Sequence, residues 1–217
     1  MTRLAVFDCD GTLSDGQAAV CAAMEAAFAE AGLPAPDPHR VRSIVGLSLP
    51  QAIARLAPDA PRDLQSHVVE AYKQAFRRAR MEGSLDEPLF DGIADLLARL
   101  HRSGWILGVA TGKSDRGLTS CLTTHGVFDL FLTRQTADRH PSKPDPAMLE
   151  AAMAEAGAAP GDTVMIGDTV YDIDMARAAG CRAIGVAWGY HAPEELLAAG
   201  AEAVAATPAE LGDLLDG

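Results

Sequence analysis

The chain has 217 residues, long enough for one large domain or for a core with a smaller insert. Its 48% hydrophobic and 22% charged residues are the balance of an ordinary soluble globule. A net charge of −12 excludes nucleic acid and anionic membrane as general partners, so a phosphate-bearing ligand has to be met locally, by a metal or by placed cations.

The first apolar run, residues 4–7, reads as a buried strand that ends in Asp8-Cys9-Asp10-Gly11. The run before Asp8 is too short for a signal-peptide core, and no uncharged stretch approaches the roughly 18 residues of a membrane helix. A cytoplasmic location and no membrane partner are therefore expected. Residues 16–85 contain no convincing strand; helices are expected at 17–31, 38–44, 49–56 and 62–80. Strands and helices then alternate: helix 91–101, strand 105–110, helix 114–124, strand 130–132 and helix 146–157, then strand 163–166, helix 170–179, strand 182–186 and helix 193–199, with a weaker strand at 203–205. Alternation of this kind predicts a doubly wound parallel sheet covered on both faces, an α/β fold. The strandless insert predicts an all-helical cap domain at 16–85 on a core made of 1–15 and 86–217. The four cysteines lack metal spacing and read as reduced thiols.

Asp8 and Asp10 are two residues apart on a strand end, so both side chains point to one side and repel; Cys9 points the other way. A parallel sheet would gather the ends of the other strands beside them. Those ends carry Thr111-Gly112-Lys113, Ser142-Lys143-Pro144, and Gly167-Asp168 with Asp172 four residues on. Four carboxylates in one cleft need a divalent cation, and hard oxygen donors without a His or Cys cluster favour Mg²⁺. A hydroxyl, an amide after glycine and a lysine suit the oxygens of a phosphoryl group. The inferred reaction is phosphoryl transfer with attack by one carboxylate, the other serving as acid and then base. The three lysines stand out in a chain that otherwise uses arginine, a weak sign that a compact ammonium is wanted at Lys113 and Lys143.

These residues resemble the haloacid dehalogenase-like hydrolases. Asp8-x-Asp10-Gly11-Thr12-Leu13-x-Asp15 is similar to the first motif of that family, Ala110-Thr111-Gly112-Lys113 to the second, and Lys143-Pro144 to the third. The stretch from Gly167-Asp168 through Asp172 to Ala179-Gly180 is similar to the fourth. The resemblance implies that Asp8 is the nucleophile and Asp10 the acid and base. It implies that Thr111, Gly112 and Lys143 bind the phosphoryl group. It also implies that Asp8, the Asp10 carbonyl and Asp168 hold Mg²⁺, with Asp172 in support. An acid at Asp10 favours ester hydrolysis over carbon–halogen cleavage, because an alkoxide leaving group needs a proton.

A helical insert after the first motif is similar to that of phosphoglycolate phosphatases, and Val45-Gly46-Leu47-Ser48-Leu49 resembles their specificity loop. Arg42 and Ser48 are the expected contacts to the far end of the substrate. Lys73 reads as a solvated helix residue, and Arg77, Arg78 and Arg80 as a solvated run or partners of Glu82. The implied activity is a Mg²⁺-dependent phosphatase for a small phosphorylated metabolite, 2-phosphoglycolate first, acting as a monomer or homodimer. A pyrophosphatase, nucleotidase or sugar-phosphate phosphatase is the alternative, and a non-catalytic binding module a further one. Gly16 and Gly83 are candidate hinges for cap closure.

Overall fold

A computed structural model describes residues 2–216. Six parallel strands form the sheet: β1 (Leu4–Phe7), β2 (Ile106–Thr111), β3 (Phe131–Thr136), β4 (Thr163–Gly167), β5 (Arg182–Val186) and β6 (Ala203–Ala205). Their spatial order is β3-β2-β1-β4-β5-β6. The order reverses between β1 and β4, so the crevice at the carboxyl ends of those two strands is where such a sheet binds ligands.

Side-chain alternation along β1 divides the core in two. Ala5 and Phe7 face one cluster together with Cys9, while Leu4 and Val6 face the other. The first cluster takes α5 (Ile93–Arg102), α6 (Asp115–Thr124) and α10 (Pro208–Asp216). The second takes α7 (Ala147–Ala156), α8 (Val170–Ala178) and α9 (Pro193–Ala199). Every residue of β1 is buried, which is why the strand reads as an unbroken apolar run rather than an alternating one. The cysteines are unpaired, as expected.

Between β1 and α5 come four helices: α1 (Gln17–Glu30), α2 (Pro38–Arg42), α3 (Leu49–Leu56) and α4 (Arg62–Met81). Among the described residues this insert holds no strand, and its apolar faces close on one another in a third cluster around Met24, Phe28, Ile53 and Val68. The connections into and out of it run side by side. Asp15 donates its N–H to the Pro88 carbonyl at 2.8 Å, and Phe90 donates to the Leu13 carbonyl at 3.1 Å.

The insert also rests on the core at several points. The Ser48 N–H donates to Ser142 Oγ at 2.7 Å, and the Tyr171 hydroxyl donates to the Ser43 carbonyl at 3.1 Å. Gly112 shows how tight the seating is: a Cβ there would run into the backbone carbonyls of Gly46 and Leu47. Gly16 is needed for a similar reason, since a Cβ would sit 2.9 Å from Asp10 Oδ1 and 3.4 Å from Glu87 Oε1. Gly83, the other expected hinge, has φ +69° and open space around it.

Candidate active site

Strand register places the acidic residues. Phe7 pairs with Ile166 of β4, so Asp8 and Asp168 leave adjacent strands close to the same level. The Asp8 N–H donates to the Ile166 carbonyl at 2.9 Å, which continues the ladder one residue beyond β1. Asp8, Asp168 and Asp172 are fully buried, and each offers a carboxylate oxygen within 4.8 Å of the others.

Lys143, also fully buried, stands among them, its Nζ 2.9 Å from Asp8 Oδ1 and 2.6 Å from Asp172 Oδ1. The other Asp172 oxygen accepts from the Thr169 hydroxyl at 2.8 Å and the Thr169 N–H at 3.1 Å, a capping box that opens α8. Asp168 accepts from the Thr12 hydroxyl at 2.8 Å and the Tyr190 N–H at 3.0 Å. Asp8 Oδ1 accepts from the Cys9 N–H at 2.7 Å, whereas Asp8 Oδ2 is buried without a partner.

Burial sets the protonation of this group. It pushes the Asp8 carboxyl up to about 7, against the pull of Lys143 and with a further push from Asp172. It holds Asp168 well above the usual carboxylate range, helped by Asp8 and Asp172. Burial works against the Lys143 ammonium as well, but Asp172 and Asp8 together raise its pKa above the ordinary value. Two of the three buried carboxylates, Asp8 and Asp172, therefore share one ammonium, and Asp168 has none. An orphaned, buried Asp8 oxygen within reach of two more carboxylates fits a hard divalent cation with oxygen ligands.

A cavity of about 420 Å³ opens beside this cluster. Asp8, Asp10, Thr111, Gly112 and Ser48 line it, along with Lys113. Lys143, Asp168 and Asp172 are buried at its edge, in reach of Asp8. Thr111 is buried, and its Oγ1 accepts from the Lys113 N–H at 3.2 Å. Thus the ends of β1, β2 and β4, the β3–α7 connection that carries Lys143 and the first turn of α8 that carries Asp172 bring the core positions expected from the motifs to one end of the sheet. Cys9 turns into the apolar core as alternation requires, and Asp15 is exposed and accepts from the Gln17 N–H.

The insert differs from expectation. Arg42 does not line the cavity: α2 ends there, and its guanidinium lies beside the Cys21 thiol. Arg77 and Arg78 are exposed, as read from sequence, but Arg77 also lines the cavity, and Arg80, read as solvated or paired with Glu82, is half-buried on its wall. Lys73 is exposed and paired with Glu70 at 2.8 Å, as expected of a solvated face, although it too reaches the rim.

Two further charged residues reach Asp10. Lys113 Nζ is 3.0 Å from Asp10 Oδ1 and 2.5 Å from Glu87 Oε1, with all three side chains nearly buried. Burial raises the Asp10 carboxyl, and Lys113 opposes the rise. Glu87 lies in the return connection from the insert; no sequence motif marks it, and only the odd use of lysine at position 113 hinted at such a partner.

The haloacid dehalogenase-like hydrolase family model matches residues 5–186. The chain is 35% identical to the N-acetylmuramic acid 6-phosphate phosphatase of Pseudomonas aeruginosa, an alignment that covers 99% of this chain and 95% of that one. It is 28% identical to the phosphoglycolate phosphatase of Vibrio vulnificus, covering 98% and 96%. The crystal structure of a hydrolase from Pseudomonas syringae superimposes with a TM-score of 0.87 at 26% identity, over 100% of this chain and 98% of that one. With this fold, these strand-end residues and a match over most of its length, the chain belongs to the haloacid dehalogenase-like hydrolase family.

Proposed function

We propose that the protein is a Mg²⁺-dependent phosphomonoesterase acting through an aspartyl-phosphate on Asp8, with residues 16–85 as a cap over the site. The observation that supports this reading is the buried, unpartnered Oδ2 of Asp8, whose other oxygen pairs with Lys143, in a residue that lines the same cavity as Asp10 and Thr111.

Asp8 attacks phosphorus, and the bond from phosphorus to the leaving oxygen breaks. Asp10 donates a proton to that oxygen. Asp10, now a carboxylate, takes a proton from water as the water attacks the phosphorus of the acyl phosphate, which frees inorganic phosphate and restores Asp8. The Thr111 hydroxyl, the Gly112 N–H and Lys143 bind the oxygens that do not leave. Lys143 also favours the ionised form of Asp8 against the burial that raises its pKa. When bound by Asp8, the Asp10 carbonyl and Asp168, Mg²⁺ supplies positive charge against the phosphoryl oxygens. Asp172 supports the set through Lys143. The 44–48 loop and Gly112 close over Asp8 and exclude water from the first step.

Phosphoglycolate is the first substrate to try, from the loop resemblance and the Vibrio relative. The cavity favours a second reading: about 420 Å³ lies within the roughly 300–1,000 Å³ of pockets that take drug-sized ligands, more room than a two-carbon acid fills. N-acetylmuramic acid 6-phosphate, named for the Pseudomonas relative, is such a larger ester. A panel of phosphorylated metabolites with free phosphate as readout ranks the two by kcat/KM. Asp8→Asn is expected to abolish turnover and phosphoenzyme formation, with a loss of at least about 10⁴-fold. Retention of a substantial rate by Asp8→Asn would refute the mechanism.

A further inference from the structure

The cavity carries more positive charge than the phosphoryl group uses. Arg77 and Arg80 of α4 and Arg116 of α6 stand on its wall. Among the described residues none of the three makes an ion pair, and the buried Arg80 Nε has no hydrogen-bond partner. Other basic residues of the same helix do find carboxylates: Lys73 pairs with Glu70, and Arg78 lies 3.9 Å from Glu30. The chain has thirty acidic residues and a net charge of −12, so unpaired arginines lining one cavity are not explained by a shortage of partners.

On α4 an apolar strip leads up to Arg80. Tyr72 and Phe76 line the cavity with ring centroids 5.0 Å apart, and Met24 lines it with them. Tyr72, Phe76 and Arg80 are spaced by four and form one stripe along α4, with Arg80 about 12 Å along the axis from Tyr72. Tyr72 marks the catalytic end, since the charges of Asp10 and Lys113 act on its hydroxyl.

We propose that Arg77, Arg80 and Arg116 form a second anion subsite. It selects phosphate monoesters whose leaving alcohol bears a carboxylate or a second phosphate on the far side of an apolar or ring-shaped body. The proposal rests on the phosphatase reading and adds the substrate class. Guanidinium groups suit it because they offer planar, paired donors to either anion.

The test is a matched pair of substrates, 4-(carboxymethyl)phenyl phosphate and its primary amide, alike in shape and leaving oxygen but different in one charge. With Mg²⁺, kcat/KM is expected to favour the acid by about 10- to 100-fold, the range of a hydrogen-bonded charge pair. That preference should shrink as salt screens the pair. Arg80→Gln and Arg77→Gln, each made singly, should collapse the ratio toward one, whereas Arg78→Gln on the outer face of α4 should leave it where it was. Equal hydrolysis of the two esters by the wild type would overturn the subsite and leave the phosphatase reading standing. Failure to hydrolyse either ester, or p-nitrophenyl phosphate, would overturn both. If an arginine variant does not fold, the wild-type ratio and its salt dependence still decide the matter.

Discussion

Lys143→Met removes the one ammonium among three buried carboxylates while keeping most of the side-chain volume, so the loss is electrostatic rather than a cavity. Lys143 is fully buried and lies 2.9 Å from Asp8 and 2.6 Å from Asp172. Removing one partner of a buried ion pair costs about 3–5 kcal/mol, out of a total stability of roughly 5–15 kcal/mol. At about 2–4 °C per kcal/mol for a chain of this size, the midpoint should fall by roughly 6–20 °C in metal-free buffer at pH 8. The sign of the pH dependence follows from Asp8. Its carboxyl is raised from the ordinary 3.8 to about 7, so the native state holds a proton that the unfolded chain gives up. Stability from this group therefore falls as pH rises from about 4 through the native pKa. Without Lys143, which lowers that pKa, the fall continues to higher pH. The gap between variant and wild type should be small at pH 5 and wide at pH 8. Mg²⁺ at a hundredfold excess over its dissociation constant should recover about 2.7 kcal/mol in a variant that still binds it. Melting followed by circular dichroism at both pH values, with and without Mg²⁺, measures all of this. A variant that melts within about 2 °C of wild type at pH 8 without metal, or a gap that does not narrow at pH 5, would refute the assignment of Lys143 as the counter-charge.

Three other outcomes are expected. Glu87→Gln loosens Lys113 from its position beside Asp10, so kcat should drop about tenfold for alkyl phosphates, whose leaving oxygen needs the proton, and much less for p-nitrophenyl phosphate; an equal drop for both would mean a merely structural role. Gly112→Ala places a methyl against the Gly46 and Leu47 carbonyls and should unseat the 44–48 loop, seen as faster proteolysis within 16–85; an unchanged cleavage pattern would count against that contact. Mg²⁺ binding near pH 6 should release protons, because Asp8 is held up to about 7 by burial and must ionise to bind metal; calorimetry in two buffers of different ionisation enthalpy would detect this, and identical heats would contradict it.

What the chain discloses before folding depends on how local the cause is. Strands at 4–7, 182–186 and 203–205 and helices at 49–56 and 193–199 match their observed limits, because apolar runs, prolines and glycines mark them within a few residues. β3 runs on to Thr136, past the expected end at 132, because its last residues are polar. Gln135 donates to Thr133 at 2.7 Å and Thr136 to Asp115 at 2.7 Å, satisfying groups that would otherwise be costly to bury. The helix Pro208–Asp216 was not anticipated; it contains Gly212, which belongs there because the Arg99 guanidinium packs against it. Asp8, Asp10 and Asp168 were legible because each follows a strand end, and a parallel sheet aligns strand ends; Asp172 was legible from its place in the first turn of the helix after β4. Arg42, Arg77, Arg80 and Glu87 were not legible. Their directions depend on how α2 and α4 pack and where the return connection runs, and no short motif encodes either.

The paired connections at Leu13–Asp15 and Pro88–Phe90 have a consequence for how such proteins diversify. The chain leaves the sheet and returns through a single opening, with Ser14 bridged to Leu89 as in an antiparallel strand pair, a separation of about 5 Å. A gap that narrow can be closed by a two-residue turn or by seventy residues of helix without moving β1 or β2. Selection can thus exchange or resize the insert as one cassette and change what is admitted to Asp8, while the order of the strands and the machinery at their ends are inherited intact.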